Sequence, residues 1–308
     1  MKKLSIIMPF LNEKEEPVNT INSIMETSNI DQLEIIAIDD CSKEMINLGQ
    51  KNVKYIRNKQ RLGVDACRQI GIEMAESNYC LVIDAHMRFR KDDWVNVIID
   101  RVDSNPNTLW CTTCVGLGYG KMNMNNHNGK YYGADLKLLT DQEKDRPCRQ
   151  ILEPKWSNEK QTIEYKIGCI LGANYFFSRD WFLRIHGLKG LKSWGSSEPV
   201  MSLKSFMAGG DCRITKNIEI GHVFRDNAPY ATPIADLVYN KIYILKTIFP
   251  KELEDKLMAY IPKDINYNAA MRMIESNKDI ILSEKAYYES IFKYSIYDYC
   301  SQFDIKVP

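Results

Sequence analysis

Between residues 5 and 116 the chain alternates short, nearly unbroken apolar runs with stretches whose apolar residues recur three and four positions apart. The runs are SIIMPF (5–10), LEIIAIDD (33–40), VKYIRN (53–58), YCLVIDA (79–85) and LWCTTCVG (109–116). Several are apolar at almost every position, as expected of strands covered on both faces. EPVNTINSIMETS (16–28) places Val18, Ile21, Ile24 and Met25 at helical spacing, with Pro17 near its start. GVDACRQIGIEMAES (63–77) does the same with Val64, Cys67, Ile70 and Met74. Strands alternating with such helices predict an α/β domain with βαβ units and a mostly parallel sheet.

Parallel sheets bind ligands at the carboxyl ends of their strands. Asn12, Asp39, Asp40, Asp84 and His86 all fall at such ends, so the period alone collects the polar residues on one edge.

From 117 to 160 the pattern loosens into an Asn-, Gly- and Lys-rich loop, followed by a hairpin-like YYGADLKLL…RQILEPKW. Long polar loops inside compact domains are usually functional or mobile. This one and residues 226–235 are expected to order around a ligand. Compact patterning returns over 165–235, and 236–308 reads as helices rich in Tyr, Ile and Lys. The expected division is a catalytic domain over 1–235 and a helical extension over 236–308. The tail's apolar stripes are read first as a packing face, with an oligomer contact or an acceptor surface as the other readings.

Composition narrows the function classes. With 41 Lys and Arg against 40 Asp and Glu, the chain lacks the basic excess of a protein that grips nucleic acid through phosphates. The amino-terminal MKKLSIIMPFLNE carries too short an apolar run for a signal peptide, and no stretch approaches a membrane span. Nine cysteines without framework spacing suit a reducing cytoplasm. Cys111 and Cys114 form a C-x-x-C without a second pair and are read as part of a buried strand.

Candidate chemistry begins at Asp84-Ala85-His86. Alternate residues leaving a strand aim to one side, and a carboxylate with a neutral imidazole makes a partial shell for a divalent ion such as Mn²⁺. A third ligand must come from elsewhere, and His222, at the end of the apolar run NIEIGHVF, is the candidate. An isolated Asp-x-His is more often a hydrogen-bonded pair than a metal site. His127 and His186 are read in that structural way.

SIIMPFLNE, EIIAIDDCS, RLGVDACRQIG, LVIDAH, WGSSEPVMSLKSFMAGG and GHVFRDNAPY occur in that order. Together they resemble the family 2-like glycosyltransferases of the GT-A fold, and among them the polypeptide N-acetylgalactosaminyltransferases, over about residues 3–235. The resemblance implies a GT-A domain with a Rossmann-like, mostly parallel sheet and flanking helices. It also implies transfer of a hexose or N-acetylhexosamine from a UDP-sugar to a hydroxyl or thiol, with retention. Asp84, His86 and His222 then look like ligands of Mn²⁺ (or Mg²⁺) bridging the two phosphates. Asp39, Asp40 and Arg61 resemble the residues that seat uridine, with Pro9 in the same donor-binding set. Arg225 resembles the diphosphate contact, Tyr230 a tyrosine closing over the nucleotide, and Gly172 and Ala173 a Gly-Gly against the donor sugar. Trp194 and Glu198 resemble parts of a Trp-Gly-Gly-Glu sugar pocket.

The chain departs from that pattern in two places. Trp194-Gly195-Ser196-Ser197-Glu198 sets the carboxylate one residue late, and Ala173 replaces a glycine. Neither a lectin-like domain nor a membrane anchor is seen, which points to a cytoplasmic bacterial or phage enzyme. An inverting transferase with Glu198 as base, or a nucleotide-sugar binding protein without turnover, are the competing readings. A peptide or protein, a glycan or a modified phage DNA base all fit as acceptor, and the oligomeric state is open.

Overall fold

A computed structural model describes residues 3–49, 52–120, 122, 124–125, 127–140, 150–159 and 166–308. The fold is built on the predicted strands. β1 (Leu4–Phe10), β2 (Leu33–Asp39), β3 (Val53–Arg57) and β4 (Tyr79–Ile83) pair in parallel in the order β3-β2-β1-β4. Helices α1 (Glu16–Thr27) and α2 (Val64–Met74) follow β1 and β3. All seven residues of β1 are buried, which explains why it reads as one apolar block.

The second half of the sheet contains β5 (Met87–Phe89), then α3 (Trp94–Ser104) and β6 (Thr108–Leu117). It also contains β7 (Gly129–Tyr131), β10 (Asn174–Ser178) and β11 (Asp211–Val223). The order continues β4-β10-β6-β11-β5, with β7 on β6. β10 is antiparallel to both β4 and β6, while β11 is parallel to β6. β6 and β11 therefore point the same way as β1 to β4, and their carboxyl ends share one edge. Cys111 and Cys114 lie in fully buried β6, as expected. β8 (Ala134–Leu139) and β9 (Ile151–Trp156) form the expected antiparallel hairpin. The expected ordering loop lies partly outside the described residues, at 121, 123, 126, 141–149 and 160.

α2 is rotated from the predicted stripe. Met74 is 37% exposed and Val64 and Ile70 are half-buried, whereas Asp65, Cys67, Arg68, Gly71 and Ile72 are buried. Gly71 explains the turn: a Cβ there would stand 2.5 Å from Cγ2 of Ile7. The helix thus lies flush on β1 and sends a charged pair inward.

Residues 179–308 add α4 (Arg179–Arg184), α5 (Ser197–Met207), α6 (Ile234–Ile248) and α7 (Lys251–Met258). α8 (Ile265–Ser276), α9 (Lys278–Ile291) and α10 (Ile296–Gln302) complete the chain. The main apolar cluster runs from Leu4 to Cys300, across the 235/236 boundary. The tail's stripe packs inward through Ile281, Tyr288, Ile296 and Tyr299.

α5 buries Lys204 completely; its Nζ donates to the Gly187 carbonyl at 3.0 Å and lies over the Tyr288 ring. Burial pushes this ammonium down to about 7, against the raising pull of Glu284, from an ordinary value of 10.5. Between those values the unfolded chain holds a proton that the folded chain has released, so stability rises with pH. The stability difference between wild type and Lys204→Met should therefore grow from pH 7 to 9 in favour of wild type. Its slope should approach about 1.4 kcal/mol per pH unit. Urea midpoints at three pH values read it, and a flat difference would show that Lys204 keeps its proton.

Candidate functional site

The shared carboxyl edge carries a cavity of about 230 Å³. Its lining includes Pro9, Asp40, Arg61, Asp84, His86, Gly172, Ala173, Trp194, Glu198, His222, Arg225 and Tyr230. Of the expected site residues only Asp39 is missing from it. Asp39 is fully buried and occupied: it accepts from the Ser42 amide at 2.7 Å and the Tyr55 hydroxyl at 2.9 Å, with Arg57 3.3 Å away. Asp40 accepts from Asn58 at 2.9 Å and from the amides of Leu62 and Gly63 at 2.7 and 2.8 Å. That places an anion at the start of α2, where the helix dipole favours it.

At the floor of the cavity, ligand atoms of Asp84, His86 and His222 lie within 4.8 Å of one another. Asp84 leaves β4, its amide donating to Ala173 O at 3.0 Å. His86 precedes β5, and His222 sits in β11 opposite Met87. The Val223 amide donates to His86 O at 3.0 Å, so the antiparallel pairing brings the two imidazoles together. Their Nε2 atoms are 3.1 Å apart, and His222 Nε2 is 3.4 Å from Asp84 Oδ2.

These spacings suit a single cation, because ligands about 2.1 Å from one ion and at right angles lie about 3 Å apart. Protonation suits it too. Burial, then the neighbouring His222, lowers His86 to about 3, leaving a neutral imidazole. Burial alone would raise Asp84, but the His222 hydrogen bond and the Arg68 charge hold it below the ordinary carboxylate range. One carboxylate and two imidazoles are a donor set for a divalent ion.

Several residues at the site carried no readable signal in the sequence. Glu13 is buried, pairs with Arg225, and lies 3.6 Å from His86 Nδ1. A carboxylate behind a ligating histidine orients the ring. Burial raises Glu13, while the Arg225 hydrogen bond and charge oppose the rise. Arg68, 4% exposed, donates to Asp84 Oδ1 at 3.0 Å and Gly172 O at 3.3 Å and lies 3.5 Å from Asp65. Asp65 accepts from Ser197 Oγ at 2.6 Å, and burial pushes it up to about 7. Trp156 and Phe224 complete an aromatic wall beside His222.

The late Glu198 reaches the cavity because the loop absorbs the additional residue. Gly195 and Ser196 take φ of 107° and 70°, the left-handed region, so that α5 starts at Ser197 with Glu198 in its first turn. The carboxylate lies so close to Gly172 that a Cβ there would meet Oε1 at 1.8 Å. Burial raises Glu198, against the lowering pull of Arg68. At the opposite rim Arg61 donates to Ala231 O at 2.7 Å and stacks 5.4 Å from the Tyr230 ring centroid. His186 instead pairs with Glu284 at 2.8 Å and does not line the cavity, and His127 accepts from the Gly129 amide. Both play the structural roles read for them.

Among the described residues no helix is long and apolar enough to cross a membrane. Polypeptide N-acetylgalactosaminyltransferase 11 of Xenopus tropicalis is 24% identical over 277 residues, covering 84% of this chain and 44% of that protein. Polypeptide N-acetylgalactosaminyltransferase 10 of Homo sapiens is 24% identical over 242 residues, covering 74% and 39%. The chain spans less than half the length of these relatives, and as animal proteins they lend no support to a bacterial or phage origin. Among solved structures, GalNAc-T7 with UDP, GalNAc and Mn²⁺ superposes with a TM-score of 0.68 at 18% identity, over 99% of this chain and 59% of that one. TarS 1–349 of S. aureus in complex with UDP-GlcNAc gives 0.54 at 12% identity, over 84% and 71%. The fold is therefore that of the GT-A glycosyltransferases. The model of glycosyl transferase family 2 matches residues 5–185, more than half of the chain and the whole parallel half of its sheet, and the chain belongs to that family.

Proposed function

We propose that the protein transfers a hexose or N-acetylhexosamine from a UDP-sugar to an acceptor hydroxyl or thiol, with retention and with a divalent cation held by Asp84, His86 and His222. The observation that carries this reading is the three-ligand cluster on the floor of a cavity that also holds Arg225, Arg68 and Glu198. When bound, the cation, Mn²⁺ or Mg²⁺, supplies charge stabilisation to the leaving diphosphate.

The chain's own groups do the rest. Arg225 offers two parallel donors to a phosphate once Glu13 shares or releases it, and burial favours protonation of the Glu13 so released. Asp40 keeps the start of α2 in place for the uridine end, and Tyr230 with Arg61 closes the rim. Asp39 acts only through Tyr55, Arg57 and the 42 amide. Gly172 and Glu198 face the donor sugar, and the Trp156–Phe224 wall faces the acceptor. Residues 1–235 carry this chemistry, with 236–308 as a helical extension. The cytoplasmic setting belongs to the same proposal, supported by eight described cysteines that are all free thiols, as suits a reducing compartment.

Incubation with Mn²⁺ and a panel of UDP-sugars should release UDP for at least one donor, and chelation should stop it. Silence with every donor, alongside tight UDP binding, would replace catalysis with a binding role. The raised Glu198 favours one further reading, an inverting transfer with that carboxylate as base. A β-linked product from an α-linked donor, read by NMR, would select it.

A further inference from the structure

We propose that Asn240 and Lys241, neighbours on α6, are positioning residues that brace the two tryptophan walls of the cavity, Asn240 the Trp194 wall and Lys241 the Trp156 wall. The inference deepens the donor-site reading, and its first measurement does not depend on that reading.

Asn240 is fully buried and spends its amide on the loop that carries Trp194. Its Oδ1 accepts from the Lys192 amide at 2.8 Å, and its Nδ2 donates to Lys192 O at 2.8 Å and Gly195 O at 3.0 Å. One turn earlier Asp236 accepts from Ser193 Oγ. The loop needs such an anchor. Ser193, Gly195 and Ser196 all have positive φ, and two are not glycine, a backbone that persists only when its surroundings hold it. Gly63 leaves it room, since a Cβ there would stand 2.3 Å from Ser193 Cα. This loop delivers Trp194 and Glu198 to the cavity.

Lys241 is buried and donates to Leu152 O at 2.8 Å. Leu152, with φ of 51°, lies in β9, whose last residue is Trp156. Two adjacent side chains of one helix therefore hold both walls, and the Lys241 charge also acts on Glu198. An amide and an ammonium buried at this cost, each with a carbonyl partner in one of the two walls, are explained by positioning. Neither lines the cavity itself.

The test uses the full chain labelled with 5-fluorotryptophan. Its five tryptophans give ¹⁹F lines assigned through Trp194→Phe and Trp156→Phe, with buried Trp94 and Trp110 as internal references. Without nucleotide, Asn240→Ala should shift or broaden the Trp194 line and Lys241→Met the Trp156 line, the references staying fixed. Unchanged wall lines, or equal changes in all five, would overturn the brace. Calorimetry with Mn²⁺ then compares UDP with UDP-sugars. Asn240→Ala should leave UDP affinity within about twofold and weaken the preferred UDP-sugar about tenfold or more. Equal loss for both ligands would overturn the link to the sugar pocket. A wild type that binds no UDP-sugar would instead sink the proposed donor, and the fluorine spectra would still decide the brace. Should Asn240→Ala fail to fold, Ser193→Ala removes only the Asp236 tie and carries the same Trp194 readout.

Discussion

Alanine in place of either His86 or His222 is expected to lower metal-dependent turnover by about 100-fold or more, the magnitude for a lost charge-stabilising group. Each imidazole offers one of three atoms that could hold the cation, and each is buried with its Nε2 3.1 Å from the other's. Removing one leaves a carboxylate and a single nitrogen as the remaining donors. Mn²⁺ affinity should fall in parallel, seen as free-ion signal by electron paramagnetic resonance at concentrations where the wild type is saturated. His127→Ala, on the exposed loop, is the control and should change neither quantity. Wild-type turnover together with an unaltered Mn²⁺ titration in either variant would remove that histidine from the ligand set.

Arg68→Met should destabilise the fold by about 3–5 kcal/mol, the cost of breaking a buried ion pair by deleting one partner. The guanidinium is 4% exposed and lies between Asp84 at 3.0 Å and Asp65 at 3.5 Å. Methionine fills much of the same volume but leaves Asp65 and Asp84 without the guanidinium they share. Asp65, already raised to about 7 by burial, would then hold its proton at neutral pH. Adding Asp65→Asn to Arg68→Met should therefore recover part of the loss, because the two sites couple through one network. Urea denaturation of the four proteins closes the cycle. Strict additivity would mean that Arg68 and Asp65 are not coupled, and an Arg68→Met midpoint equal to wild type would mean that the guanidinium contributes nothing to stability.

How much of this was legible depended on the kind of contact. Local period was enough for β1, β2, β4 and β6, because strands covered on both faces must be apolar throughout, and for α1, whose inward residues recur at helical spacing. The same rule misjudged α2. Its inward face carries Asp65 and Arg68, which an apolar stripe cannot announce, and Gly71 sets the rotation by contact with Ile7. Asp39 misled for the opposite reason: the Asp39-Asp40 doublet stands at a strand end, yet only a fold could reveal that Tyr55, Arg57 and Ser42 consume the first acid. Glu13 stood in plain view beside Asn12, but its pairing with Arg225 spans 212 positions.

The sequence by itself determined that polar residues gather at the carboxyl edge of a mostly parallel sheet, since strand period and strand ends are properties of neighbouring residues. Tertiary structure alone decided that His86 and His222, 136 positions apart, meet at 3.1 Å, that a left-handed turn at Gly195 and Ser196 returns Glu198 to Gly172, and that α6 touches both walls of the cavity. Each of these depends on which strands and helices pack together, a choice made by the summed burial of the whole core and written at no single position of the chain.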